Sequence, residues 1–126
     1  MKRMMTFLLL SLLAAGSVWG AAVAPGIADR IAKAEERAAK MAGGPAGDYA
    51  RDLLTTARSA VSGARTAAES GNEKAALQKL EVAELQLEVA DARAAEKELA
   101  EKVAVSRAEL KKLEAQLERY VQGEEK

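Results

Sequence analysis

The sequence predicts an all-α protein: a three-helix antiparallel hairpin or bundle from which a long C-terminal helix projects as a coiled-coil arm. Three observations lead there. Alanine supplies 29 of the 126 residues, Glu, Lys, Leu and Arg are abundant, and there are 2 prolines, a composition that favours helix over strand. Apolar residues recur at steps of three and four through nearly everything after Pro25. Between Glu73 and Gln122 there is neither glycine nor proline, and as one helix that run would be about 75 Å long.

The opening "MKRMMTFLLLSLLAAGSVWGAAVAPG" has a basic start (Lys2, Arg3), an apolar centre from Phe7 to Ala15 and small residues after it. This is the layout of a secretory signal peptide over residues 1–20, with cleavage after Gly20 or Ala22. A cut after Ala24 is disfavoured because Pro25 would follow the scissile bond. The alternative is an uncleaved inner-membrane anchor, since Met4–Ala24 carries no charge and is long enough to span a bilayer. Either way the basic end stays inside and the remainder faces the periplasm. With no cysteine there is no residue to carry a lipoprotein acyl chain.

Pro25-Gly26 ends the leader, and the first helix is expected over about 27–42. Its apolar face runs Ile27, Ile31, Ala34, Ala38, Met41, with Asp29, Arg30, Lys33, Glu35, Glu36 and Arg37 on the others. "GGPAGD" stops it: glycines for the turn, Pro45 as breaker, Asp48 as cap of the next helix. The second helix, about 48–69, has its seam at Ala50, Leu53, Ala57, Ala60, Ala64 and Ala67, widened by Leu54, Val61 and Ala68. Gly71 and Asn72 then serve as C-cap and next N-cap.

The third helix begins at Glu73. Up to about residue 97 it carries two stripes, Ala76, Leu80, Ala83, Leu87, Ala90, Ala94 and Val82, Leu85, Val89, Ala92, a width suited to two neighbours. Beyond that a single stripe remains: Leu99, Val103, Ser106, Leu110, Leu113, Leu117, Tyr120. Equal rise per residue makes the folded-back helices end near residue 97, where the stripes change. The body is therefore expected over 27–97, with residues 98–122 projecting about 35 Å and 123–126 a disordered tail.

A row of exposed apolar side chains marks a contact surface. The residues expected to make it are Leu99, Val103, Leu110, Leu113, Leu117 and Tyr120. With Val103, Leu110 and Leu117 at heptad position a, the flanking g positions are Lys102, Glu109 and Gln116, and the e positions Arg107, Glu114 and Val121. A parallel pair of identical chains sets Lys102 against Arg107 and Glu109 against Glu114, both repulsive. An antiparallel pair stacking Leu110 on Leu113 brings Arg107 to Glu114, which attracts. The expected partner is thus the chain itself, paired antiparallel, or another helical protein of the envelope.

Composition excludes much else. With no histidine and no cysteine, His-based triads, thiol chemistry and the usual zinc and haem sites are absent. A net charge of zero lacks the basic face that nucleic acid requires. The acidic pairs Glu35/Glu36, Glu96/Glu98 and Glu124/Glu125 read as solvated surface, and no EF-hand loop accompanies them. Tyr49, Tyr120 and Ser106 read as packing or helix-bonded residues. No catalytic, cofactor-binding or metal-binding residue is assigned, and no small-molecule substrate is expected.

The stretch 29–95 resembles the domain of unknown function 4398, a family of small exported bacterial envelope proteins with Ala-rich helical hairpins. The resemblance is carried by Tyr49-Ala50, by Ala57, Ala60 and Ala64 at seam spacing, by the Gly71-Asn72 turn followed by Ala76, Leu80 and Ala83, and by Asp91-Ala92 to Ala95. Arg51 stands where the family often has proline, and the lipid-bearing cysteine of many relatives is missing. The resemblance implies an envelope location and lends no functional residue. The expected function is non-enzymatic, through coiled-coil contact. The alternatives are a periplasmic holdase-type chaperone, or an inner-membrane-anchored envelope scaffold if the leader is retained.

Overall fold

The computed structural model describes residues 23–124; the leader therefore lies outside the described residues. It is all-α, with no strand among those residues: α1 (Pro25–Ala42), α2 (Pro45–Tyr49), α3 (Arg51–Glu69) and α4 (Glu73–Glu124). Four helices replace the expected three, because Pro45–Tyr49, across the expected break and the first two residues of the expected second helix, forms a helix of its own.

Pro25 begins α1, two residues before the expected start at Ile27. Its fixed φ suits the first helical position and its missing N–H is not needed there; Ile27 and Ala28 close the first turn onto the Ala24 carbonyl. The same logic applies at Pro45, which starts α2 instead of breaking the chain. Asp48 does not cap α3. The junction is Ala50, whose N–H donates to the Ala46 carbonyl at 2.9 Å while its own carbonyl accepts from Leu54 at 3.0 Å. Ala50 and Ala46 are both buried, closing one end of the core. Gly47 is obligatory there, since a Cβ would lie 2.2 Å from the Ala42 carbonyl oxygen.

The turn after α3 agrees with the sequence reading. Gly71 takes φ 78°, a left-handed conformation that glycine adopts without strain. The Asn72 side chain accepts from the Ala75 N–H at 3.1 Å, the N-cap bond that α4 needs.

The core is mostly alanine: Ala34 and Ala38 of α1, Ala57, Ala64 and Ala68 of α3, and Ala76, Ala83, Ala90 and Ala94 of α4 are buried. Its largest fully buried side chains are Leu80, Leu87 and Val61. The buried face of α3 runs through Leu54, Ala57, Val61, Ala64 and Ala68. Leu53, Ala60 and Ala67, expected at the centre of that seam, are only partly buried at its edge. Both faces satisfy the three-four spacing and each holds one leucine; they differ in Val61 against Ala60, and the face with the valine buries more area.

Each pair of long helices is tied by one arginine–carboxylate contact. Arg30 of α1 grips Glu84 of α4 through two bonds of 3.2 and 2.7 Å, Arg65 of α3 meets Glu35 of α1 at 2.5 Å, and Arg93 of α4 meets Asp52 of α3 at 3.2 Å. These are surface pairs, worth little individually, and they lie at the margins of the buried faces. The Arg30 guanidinium is held above its ordinary pKa by the hydrogen bond to Glu84, against a smaller opposing effect of burial.

Candidate interaction surface

α4 is where the structure departs most from the sequence reading. Its buried residues form one stripe only, Ala76, Leu80, Ala83, Leu87, Ala90 and Ala94. The second stripe, expected to receive another helix of the body, faces solvent: Val82, Leu85 and Val89 are 50%, 60% and 47% exposed, and Ala92 is exposed as well. The alanines explain this. Small side chains let both α1 and α3 settle against a single stripe of α4, so the opposite side of the helix stays uncovered.

That uncovered side continues. At about 100° per residue, Val82, Leu85, Val89 and Ala92 lie roughly opposite the buried stripe. The same three-four rhythm passes through Glu96 to Leu99, Val103, Ser106, Leu110, Leu113, Leu117 and Tyr120. The two stripes, expected to be separate, are one heptad seam, with Val82, Val89, Glu96, Val103, Leu110 and Leu117 at a, and Leu85, Ala92, Leu99, Ser106, Leu113 and Tyr120 at d. From Val82 to Tyr120 it spans about 57 Å. The drift of the seam around the helix is the one that a left-handed supercoil absorbs.

Every large hydrophobic residue that stands exposed among the described residues is on α4, and all but Val105 and Val121 occupy a or d positions of this seam. Leu99, Val103, Leu110, Leu113, Leu117 and Tyr120 all lie along it, from 41% exposed at Val103 to 75% at Tyr120. Arg107 and Glu114 flank it, one heptad apart on the same helix and also exposed. Within one chain they do not meet. From Ala95 to Glu124 every residue is exposed, so the projecting part touches the body with side chains only at its base. The helix runs on to Glu124, through the Gly123 and Glu124 expected in a disordered tail.

The base is fastened by Tyr49 of α2, whose hydroxyl donates to the Glu101 carboxylate at 2.5 Å. That bond raises the Tyr49 pKa above 10.0, with desolvation and the nearby negative charges adding to it. Tyr49 is thus more than the packing residue expected of it; its bond to Glu101 anchors the body four residues beyond the expected edge at residue 97. Nothing in the sequence distinguishes a hydroxyl that bonds across to α4 from a ring that packs. Ion pairs among the described residues all lie in the body, and Glu98 and Lys102 do not close on one another along the arm.

The body offers no buried ionisable or polar residue, and no group of three or more His, Cys, Asp or Glu stands close enough to hold a metal among the described residues. None of the described helices is long and apolar enough to cross a membrane. No family model, curated protein or solved structure matches the chain.

Proposed function

We propose that this chain is a non-enzymatic helical protein of the bacterial periplasm that acts through coiled-coil contacts along α4. One observation carries the reading: a heptad seam of about 57 Å lies entirely exposed on α4, whose opposite face is packed as far as Ala94. An apolar row of that length in water is matched by another helix with a seam of its own. The alanine-filled body holds α4 by one face and leaves the other free for a partner. The periplasmic location rests on the residues 1–20 leader pattern and on the likeness to the domain of unknown function 4398 family. The partner is the chain itself or another helical envelope protein.

Sedimentation equilibrium tests this. Changing Leu110 and Leu113 together to serine removes two central a/d residues without touching the body, since both are exposed and beyond its reach. The double variant should keep the wild-type melting of the body and lose self-association. Association that survives the double change refutes the assignment of the seam.

A further inference from the structure

Resting on that reading, we infer that the occupant of the seam is a second copy of this chain, antiparallel, overlapping along the whole of Val82–Tyr120 so that each arm lies against the other's body. The symmetry of the seam points to this pairing. Its two polar positions are Glu96 and Ser106, and residue 101 is the midpoint both of that pair and of the ends Val82 and Tyr120. An antiparallel copy centred on residue 101 therefore sets Glu96 against Ser106 in both halves. All other layers become apolar: Val82 on Tyr120, Leu85 on Leu117, Val89 on Leu113, Ala92 on Leu110 and Leu99 on Val103. Small residues meet large ones at both ends, as a tightly filled core requires.

Other registers do worse in the core. Sliding by one heptad sets Glu96 against Leu113 and Ser106 against Val103; by two, Glu96 meets Tyr120 and Ser106 meets Leu110. The register that stacks Leu110 on Leu113 sets Ser106 against Leu117 and leaves Val82 through Val89 uncovered. A different partner protein would impose no reason for the polar positions to be placed symmetrically about the middle of this seam. Self-pairing does.

The flanking charges partly oppose this register and are outweighed. Lys102 faces its own copy and Arg93 falls near Arg107 of the other chain. Arg93, however, is already paired with Asp52, and Arg107 of the other chain falls beside Glu96. Flanking pairs of this kind contribute much less than the burial of one leucine, and the full overlap buries Val82 and Leu85 of both chains.

The test uses the fact that the chain has no cysteine. Single cysteines at Ala104 and at Ala115, both on the outer side of the arm, carry spin labels for distance measurement in the assembled full chain. In the full overlap the two Ala104 labels are offset along the axis by about 9 Å and the two Ala115 labels by about 42 Å. Pairing by the arm tips alone reverses the order, to about 22 Å at Ala104 and 10 Å at Ala115. A parallel pair has no axial offset at either. In addition, Leu85→Ser, on the flank of the body, should weaken dimerisation at least tenfold, and Leu117→Ser similarly. The short-then-long pattern with a Leu85 effect supports the full overlap. The reversed or parallel pattern, or no effect of Leu85→Ser, overturns it while leaving a coiled-coil function standing. A wild-type monomer at high micromolar concentration also overturns it, and leaves the seam to a different helical partner. Dimerisation that ignores Leu110→Ser with Leu113→Ser refutes the underlying reading instead.

Discussion

Replacing Ala83 by leucine adds three carbon atoms where the structure has no room for them. Ala83 lies on α4 between Leu80 and Leu87, all three with no measurable exposure, under the helices that settle on this stripe. The methyl it carries now is already buried, so enlargement gains nothing from water. The added atoms have to push α1 or α3 away from α4, or drive a neighbour off its rotamer. Overpacking of this kind destabilises by about 1–3 kcal/mol. In a domain of this size each kcal/mol moves the midpoint by about 4–8 °C, so the variant should melt roughly 5–20 °C lower. Ala57→Leu, equally buried on α3, should behave alike. Ala108→Leu is the control: it makes the same chemical change at an exposed position on the outer side of the arm, and should stay within about 0.5 kcal/mol of wild type. Thermal unfolding followed by far-ultraviolet circular dichroism reads all three. Unchanged midpoints for both Ala83→Leu and Ala57→Leu would show that the alanine stripes are not closely packed, and the account of the body would fail.

Gly47→Ala should destabilise by more than about 1 kcal/mol, because its Cβ would collide with the Ala42 carbonyl oxygen, whereas Gly63→Ala should stabilise by about 0.5–1 kcal/mol, the only close neighbour of its new Cβ being the flexible Lys79 side chain at 3.2 Å; urea unfolding of both variants checks the contrast. In a Tyr120→Phe background, ultraviolet titration should find the Tyr49 phenol ionising above 10.0, and Glu101→Gln should bring it back down. The sign follows from the raised folded-state pKa: the Tyr49–Glu101 bond contributes below pH 10.0 and is lost as pH rises through the folded-state value. Mass spectrometry of the protein from its native envelope should show a start at Ala21 or Val23; an intact Met1 end in the membrane fraction would favour the anchored form.

The fold is legible in the sequence because few residues govern it. Gly71 and Asn72 announce the α3–α4 turn, and the length of Glu73–Glu124 announces the arm, since nothing in that run ends a helix before Gly123. The α2 turn is not legible, because Pro45 is equally suited to ending one helix and to starting another, and only the contact of Gly47 with Ala42 decides between them. On α4 the spacing is correct and its assignment to the core is wrong. Val82, Leu85 and Val89 look like core to any pattern that counts apolar faces, as though two neighbouring helices required two stripes. Periodicity says which residues share a face; it does not say how closely alanine lets two helices crowd onto one. Glu96 conceals the continuity of the seam, as a single polar residue at an a position reads as the end of a stripe.

The division of α4 into two opposite faces also sets what supports each part of it. From Glu73 to Ala94 the helix is held by tertiary packing on its buried stripe, with the exposed Arg30–Glu84 and Arg93–Asp52 contacts at its margins. Beyond the Tyr49–Glu101 bond every residue of it is exposed and none of the body's described ion pairs or side-chain hydrogen bonds reaches it. There the helix has no packing from the described part of the body and depends on propensity, propagating from turns already formed below it. Burial of the seam by another helix would supply the missing stabilisation, and would do so most where the body supplies none, at Leu110, Leu113 and Leu117. At Val82, Leu85 and Val89 the helix is already held by its other face, so a partner there adds contact area to a rigid surface without the entropy of ordering it. A coiled coil anchored on preformed helix at both ends and disposed to fray in neither is what the full antiparallel overlap produces, because each arm's unsupported tip lies on the other chain's supported flank.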